Sequence, residues 1–297
     1  MNTPLSSKTE IVKNKISSVN KKKKIGLIVR YSLIAIGVVP MLLPLLWMLS
    51  TALKNDSAVF SIPPQWIPKQ FQFSNFTEGL RQIDFWHRFL NTTIISLFCV
   101  IGQCVSCLLV GYAIARIKFP GRKIWFFLII GSMMLPGMIS LIPVFRVYST
   151  LGMYNTWLPL ILPAFLGAPF FIFMTRQFMS TIPISFDEAA KIDGASHLQI
   201  LVKVIVPMCK PLIATIAIMT FQGTWNDYLT PLVYLVDPDK WTLSLAMGQF
   251  MGGTYGTKWN LFMAADLVYM LPVLVLFFFA QDYFMQGLGS MNSSGIK

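Results

Sequence analysis

The sequence predicts an all-α integral membrane protein with six transmembrane helices. Hydrophobic residues make up 55% of the 297 positions and charged residues only 12%, which is roughly half the charged fraction of a soluble domain. A soluble fold is excluded, because so few polar residues could not cover an apolar core of this size. Six stretches approach the about 20 apolar residues that a membrane-spanning helix needs. They cover residues 31–53, 89–115, 124–145, 156–175, 211–236 and 261–281.

Lysine and arginine residues indicate which loops face the cytoplasm. Six spans place both chain ends on one side, and with that side inside, the inner segments hold 17 basic residues and the outer segments 7. Because basic loops are retained in the cytoplasm, we expect cytoplasmic N- and C-termini. Residues 1–30 then form a basic cytoplasmic tail that faces membrane lipid rather than nucleic acid, and residues 31–297 form the six-helix transmembrane domain.

The segments between the spans carry turn and helix signals. Residues 54–88 hold three prolines and several aromatic residues, and we expect a short interfacial helix at residues 75–80. Pro120-Gly121 predicts a tight turn after the second span, and Gly152 with Asn155 separates the third span from the fourth. Glycine and proline also recur inside the spans, where small residues let helices approach closely and proline introduces kinks.

Residues 181–207, between the fourth and fifth spans, predict two short polar helices joined by a corner. Ser185 and Glu188 have the spacing of a capping box, which would start the first helix. Gly194 suits the left-handed residue that closes such a helix. An ordinary capped surface helix has the same local pattern. The spacing of residues further along the chain is therefore needed to distinguish an ordinary surface helix from a functional segment.

A second capping box follows the corner. Ser196 and Gln199 have the required spacing, and they predict a helix over residues 198–206 that ends before Pro207. The two helices and the glycine corner would form a rigid projection of small residues, suited to insertion into a partner.

Glu188-Ala189-Ala190, Gly194 and Pro207 resemble, in identity and spacing, the EAA loop of bacterial ABC importer permeases. In that family the loop is the coupling helix that docks on a separate ATPase subunit. The resemblance implies that the ATPase contact of this chain is made by Ser185, Glu188, Ala189, Ala190, Asp193, Gly194, Ala195 and Pro207.

Further motifs resemble the carbohydrate-uptake branch of this family, at residues 91–92, 112–116, 225–228 and 284–288. The resemblance implies a type I ABC importer permease of the bacterial cytoplasmic membrane, which forms half of the translocation pathway for a sugar or oligosaccharide. The implied partners are a second homologous permease subunit, two ATPase subunits and an extracytoplasmic solute-binding protein. ATP and Mg²⁺ would bind to the ATPase subunits, and no cofactor is expected on this chain.

A glycine-rich connector before the sixth span holds Gly252, Gly253, Thr254 and Tyr255. In the maltose importer, a glycine-rich outer loop at the matching place enters the binding protein. The resemblance implies that these four residues contact the solute-binding protein.

Two carboxylates near the spans leave a second functional class open. A charge within a span is a functional candidate, and Asp227 with Asp266 could serve an ion-coupled secondary transporter. Asp227 lies about 25 Å of helix from the inner end of the fifth span, which places it near the outer interface. A solvated rim role, and a role on the translocation path together with Asn226, both remain open at this point.

The sequence offers no constellation for catalysis. No Gly-Lys dipeptide occurs in the chain, so it lacks a phosphate-binding P-loop, and ATP hydrolysis is expected on a separate subunit. His87 and His197 are far apart in sequence. Cys104 and Cys107 lie inside an apolar stretch, where cysteine behaves as a small hydrophobic residue. Neither a metal site nor a catalytic residue is expected.

Overall fold

The computed structural model describes residues 27, 30–250, 257–279 and 281, and every regular element within them is helical. In chain order these helices are α1 (Arg30–Ala52), α2 (Asp56–Val59), α3 (Ser74–Gln82), α4 (Phe85–Arg116), α5 (Arg122–Ser132), α6 (Gly137–Thr150), α7 (Leu158–Leu166), α8 (Pro169–Thr181), α9 (Ser185–Ile192), α10 (His197–Met208), α11 (Lys210–Trp225), α12 (Leu229–Tyr234), α13 (Leu243–Met247) and α14 (Trp259–Phe279).

Four helical stretches in the described part of the chain are long and apolar enough to cross a membrane. They are α1, α4, the consecutive pair α7–α8 and α14. Two more pairs meet the same criterion together but are sharply bent, α5–α6 by 102° and α10–α11 by 82°. All six apolar stretches of the sequence are therefore mainly helical, and the described residues contain four candidate membrane spans, or up to six if each bent pair counts as one span.

The long helix α4 is the centre of the bundle and packs against α7, α8 and α11. Around its C-terminal half, buried apolar side chains from α8, α10 and α11 form one core, which includes Cys107, Met179, Ile205 and Ile216. Cys107 and its neighbour Cys104 pack in or against this core. The apolar packing fixes the helices that lie on either side of residues 181–207.

Two glycines let α4 approach its neighbours closely. A Cβ atom at Gly102 would lie 2.6 Å from the ring of Phe165 in α7, and a Cβ atom at Gly111 would overlap the side chain of Thr175 in α8. Contacts this short do not occur between real atoms, so only glycine allows the observed helix spacing. Small residues at helix contacts are typical of membrane bundles.

A second core surrounds the N-terminal end of α4. Phe85 packs there with Trp225, Leu243 and Leu261, which come from the end of α11, from α13 and from α14. The helix expected at residues 75–80 is confirmed as α3, which packs on α14, and its place at the membrane interface stays a prediction. The connectors thus fold back onto the bundle at this end.

The fifth apolar stretch, expected as one span over residues 211–236, is not a single helix. α11 ends at Trp225, and α12 starts a separate short helix after the turn that contains Asn226 and Asp227. The Tyr269 hydroxyl lies 2.9 Å from the Trp225 carbonyl and 3.0 Å from Asn226 Oδ1. These contacts from α14 give the acceptor oxygens at the C-terminal end of α11 a hydrogen-bond donor, so the chain can turn there.

The third stretch, expected over residues 124–145, is also broken. α5 ends at Ser132, and Pro136 has an extended backbone with ψ 128° before α6 begins. Proline lacks an N–H and disfavours helical geometry in the residue before it, so the helix direction changes at this point.

Some expectations fall on residues outside the described ranges. These are most of the basic tail 1–30, the motif at residues 284–288, and Gly252, Gly253, Thr254 and Tyr255. The cytoplasmic placement of both termini and the boundary between tail and transmembrane domain stay predictions.

The close contact at Gly111 generates a stability prediction. Gly111→Val should lower the thermal unfolding midpoint of the detergent-solubilised protein, because overpacking a well-packed contact costs about 1–3 kcal/mol. Gly131→Val in α5 is the matched control, since a Cβ there meets no atom within 4 Å. Equal midpoints for the two variants would show that the α4–α8 spacing does not depend on glycine.

Candidate functional site

Residues 181–207, hereafter the coupling segment, lie at the C-terminal end of α4. The corner between α9 and α10 is closed by Gly194, whose φ is +79°. The Gly194 N–H donates to the Lys191 carbonyl at 3.0 Å, and the Ala195 N–H donates to the Ala190 carbonyl at 2.9 Å. This pair of bonds is the Schellman arrangement, and it confirms the predicted left-handed glycine corner.

The two predicted capping boxes have different outcomes. Ser196 and Gln199 form the expected reciprocal bonds at the start of α10, so the second box is confirmed. The first box is wrong, since Ser185 makes no cap bond and is already the first residue of α9. Ile184 precedes it with helical geometry, and its carbonyl accepts from the N–H groups of Asp187 and Glu188. The helix therefore begins after Pro183, which leaves the Ser185 and Glu188 side chains free for other contacts.

The predicted end of the second helix at Pro207 is also wrong. α10 continues to Met208, and residues Leu201–Ile205 within it form a wider π-helical turn. A π turn absorbs an extra residue without ending the helix. The direction changes only at Cys209, which is fully buried and whose N–H donates to the Ile205 carbonyl at 3.0 Å.

A buried ion pair joins the coupling segment to α4. Asp187 Oδ2 lies 3.6 Å from Arg116 Nε, and the two side chains are only 3% and 7% exposed. Arg116 Nη2 also donates to the Ile182 carbonyl at 2.6 Å. A single guanidinium at the end of α4 thus holds both α9 and the connector that precedes it.

A second contact joins α4 to α10. The Tyr112 hydroxyl lies 3.5 Å from His197 Nδ1, and the two rings meet edge to face. Tyr112 and Arg116 are four residues apart, so they lie on the same face of α4. That face therefore contacts both helices of the coupling segment.

Sequence reasoning missed the role of Asp187. The Glu-Ala-Ala motif drew attention to Glu188, which is exposed, whereas its neighbour Asp187 is 2% exposed and carries the link to α4. No local signal in the sequence distinguished the two residues, because the inward position of Ala190, which lies three residues after Asp187 on the same face, is known only from the structure. In the sequence, Arg116 could be recognised only as one of the basic residues around the turn at Pro120-Gly121.

The opposite face of the coupling segment is exposed and partly apolar. Phe186 is 46% exposed, Ile192 87%, Leu198 62% and Val202 55%. Of the residues predicted to contact an ATPase, the exposed ones are Ser185, Glu188, Ala189, Asp193, Gly194 and Pro207. Ala190 and Ala195 instead pack against the core. The coupling segment therefore has one anchored face and one exposed, partly apolar face.

The predicted translocation-path residues lie at the other end of the bundle. Asp227 Oδ1 accepts from the Thr230 N–H at 3.1 Å and so supports the start of α12. Asn226 is bonded to Tyr269, as described above, and Asp266 is half-buried in α14. These contacts give Asn226 and Asp227 structural roles, and their place on a translocation path stays a prediction.

Comparison with known proteins gives matches over most of the chain. Residues 107–290 match the family described as binding-protein-dependent transport system inner membrane component. The chain is 31% identical to the probable ABC transporter permease protein YurM of Bacillus subtilis over 85% of this chain and 83% of that one. It is 35% identical to the melibiose/raffinose/stachyose import permease protein MelC of the same organism, over 84% and 90%.

One solved structure is similar over almost its full length. It comes from a bacterial ABC transporter involved in the import of the acidic polysaccharide alginate. The match has a TM-score of 0.78 at 26% identity, and it covers 88% of this chain and 97% of that chain.

The buried ion pair generates a prediction that a double-mutant cycle can test. Arg116→Met and Asp187→Asn should each destabilise the detergent-solubilised protein by about 3 kcal/mol, because each leaves the other charge buried without its partner. The double variant should lose clearly less than the sum of the two single losses. Lys191→Met and Asp193→Asn, both exposed on the same segment, form the control cycle. Additive losses at Arg116 and Asp187 would show that the pair does not act as a unit.

Proposed function

Because the chain belongs to the family of binding-protein-dependent transport system inner membrane components, we propose that its coupling segment docks on a separate ATPase subunit. The family places the chain in the cytoplasmic membrane as a multi-pass permease subunit of an ABC importer. Its own residues bind no nucleotide in this proposal, and ATP hydrolysis takes place on the partner.

The two-faced coupling segment is the observation that carries this proposal. Its inner face is fixed to α4 through Asp187 and Arg116, while its outer face presents Phe186, Ile192 and Leu198 to the surroundings. Exposed apolar residues beside a rigid glycine corner suit insertion into the cleft of another protein. The eight residues expected at the ATPase contact lie on this segment, six of them exposed.

The proposed mechanism is alternating access. When ATP closes the two ATPase subunits, each coupling segment moves with the cleft that holds it. The buried pair and the Tyr112–His197 contact pass this movement to α4, and α4 passes it to the helices packed around it. ATP can shift the equilibrium between inward- and outward-open states only if docking differs in free energy between them.

A sugar or oligosaccharide is the proposed solute. Both the relative named for melibiose, raffinose and stachyose and the alginate transporter structure belong to carbohydrate importers. We propose that this chain and a second homologous permease subunit each form half of the pathway. An extracytoplasmic solute-binding protein would deliver the solute, with Gly252, Gly253, Thr254 and Tyr255 expected at its contact.

The alternative is an ion-coupled secondary transporter that uses Asp227 and Asp266. One observation weighs against it, since the Asp227 carboxylate is engaged in the α12 turn through the Thr230 N–H. Uptake into vesicles distinguishes the two classes. The importer requires ATP and continues without an ion gradient, whereas the secondary transporter loses uptake when an ionophore collapses the gradient.

The glycine corner generates the central prediction. Gly194→Asp should abolish recovery of the ATPase with the affinity-tagged permease, and with it ATP hydrolysis stimulated by the binding protein. Only glycine adopts a φ of +79° without strain, and Asp adds a Cβ and a charge at the exposed corner. Gly194→Asn should retain part of the activity, because Asn tolerates the left-handed region about as well as Asp does but adds no charge at the corner.

The matched control for this prediction is Gly152→Asp. Gly152 also has a positive φ, at +70°, and a Cβ there meets no atom within 4 Å. It lies between α6 and α7, away from the coupling segment, so Gly152→Asp should leave ATPase recovery intact. Loss of recovery in both variants would indicate general misfolding, and full activity of Gly194→Asp would refute the docking assignment.

A further inference from the structure

A small polar pocket lies at the end of the bundle opposite the coupling segment. It has a volume of about 250 Å³, and the residues that line it all come from the connector between α1 and α3, at positions 54–70. Its polar lining comes from Lys54, Asn55, Ser57, Gln65, Lys69 and Gln70. The only acidic residue between positions 54 and 70 is Asp56, which is exposed and does not line the pocket.

Lys54 is the unusual residue of this pocket. The residue is 1% exposed, and its Nζ has no hydrogen-bond partner among the residues that the structure describes. The centroid of the Trp47 ring lies 4.1 Å from Nζ, so this ring faces the ammonium. Burial also lowers the pKa of Lys54 below its usual value.

The backbone holds Lys54 in this position. The Lys54 carbonyl accepts from Asn75 Nδ2 at 2.8 Å and from Asn260 Nδ2 at 3.4 Å. Asn75 also binds the Ala52 carbonyl, and Asn260 binds Asn75. Two separate helices, α3 and α14, thus fix the end of α1, so the buried ammonium is part of a built site rather than a mobile surface lysine.

An unpaired buried ammonium is unfavourable, because its hydration is lost and no anion replaces it. A cation–π contact compensates only in part. The amides of Asn55, Gln65 and Gln70 can donate hydrogen bonds, and Lys69 adds a second positive charge. The lining therefore has the chemistry of a carboxylate receptor.

We propose that this pocket receives an aspartate or glutamate side chain of the extracytoplasmic binding protein when that protein docks on the permease. The inference rests on the proposed function, which supplies the partner and places this end of the bundle outside the cytoplasm. The pocket is smaller than the about 300–1,000 Å³ typical of ligand sites, so a single side chain fits its size better than an oligosaccharide does.

The surface around the pocket fits a protein partner. Phe60 is 75% exposed, Trp66 57% and Phe71 55%, and all three belong to the same connector. Aromatic residues around a central charged contact are common at protein–protein interfaces. If the buried charge gains its partner only on docking, binding is also tight only when the binding protein has the orientation that pairs the two charges.

Zero-length cross-linking tests the contact without any variant. The assembled importer, in nanodiscs of uncharged lipid, is mixed with the cognate solute-binding protein and treated with a water-soluble carbodiimide. Mass spectrometry should find Lys54 joined by an amide bond to an aspartate or glutamate of the binding protein. Cross-links between the two proteins that never include Lys54 would overturn the proposal.

Affinity measurements give the second test. Lys54→Met keeps the length of the side chain and removes its charge, and it should weaken binding of the solute-binding protein at least tenfold. Arg81→Met is the matched control, since Arg81 is an exposed cation on α3 at the same end of the bundle and does not line the pocket. The control should bind as the wild type does.

The remaining outcomes each lead to a different conclusion. Lys54→Met could bind the solute-binding protein with unchanged affinity in uncharged lipid and yet no longer co-purify with anionic lipid. The pocket would then bind a lipid phosphate rather than a protein carboxylate, and the proposal would be overturned. Unchanged affinity without any lipid effect would overturn it outright, while the proposed function would stand. A wild-type assembly that binds no solute-binding protein would refute the proposed function, and this inference with it.

Discussion

The buried pair between Arg116 and Asp187 is the interaction on which the proposed coupling depends. Its two charges come from the last residue of α4 and from the first turn of α9, and both are almost completely shielded from solvent. Leaving either charge buried without the other is strongly unfavourable. Movement of α9 away from α4 would separate them, so the two elements are expected to move as one body.

α4 extends this connection across the molecule. Its 32 residues span about 48 Å at 1.5 Å per residue. At its N-terminal end, Asn91 donates to the carbonyls of Asp239 and Trp241, and Thr92 accepts from the Leu243 N–H. One rigid helix therefore contacts the coupling segment at one end and the folded connectors at the other, which suits the transmission of movement between two docking surfaces.

The two ends of the molecule use buried cations in different ways. Arg116 has its carboxylate within the chain, and the result is a permanent link between helices. Lys54 is equally buried but has no carboxylate in the described part of the chain, and it lines an open pocket. Since an unpaired buried charge is unfavourable, the first arrangement favours a fixed structure and the second favours binding of an anion from outside.

Local sequence was enough to predict the features that depend on neighbouring residues: the apolar stretches that become helices, the left-handed corner at Gly194 and the capping box at Ser196. Helical periodicity and backbone preferences act within a few residues, so they can be recognised locally. Packing between distant elements settles three further features: Asp187 rather than Glu188 faces inward, the fifth stretch turns after Trp225, and Lys54 is buried. Each of these depends on a group far away in the sequence, such as Arg116, Tyr269 or Asn260, and the distance between such groups is set only when the helices pack.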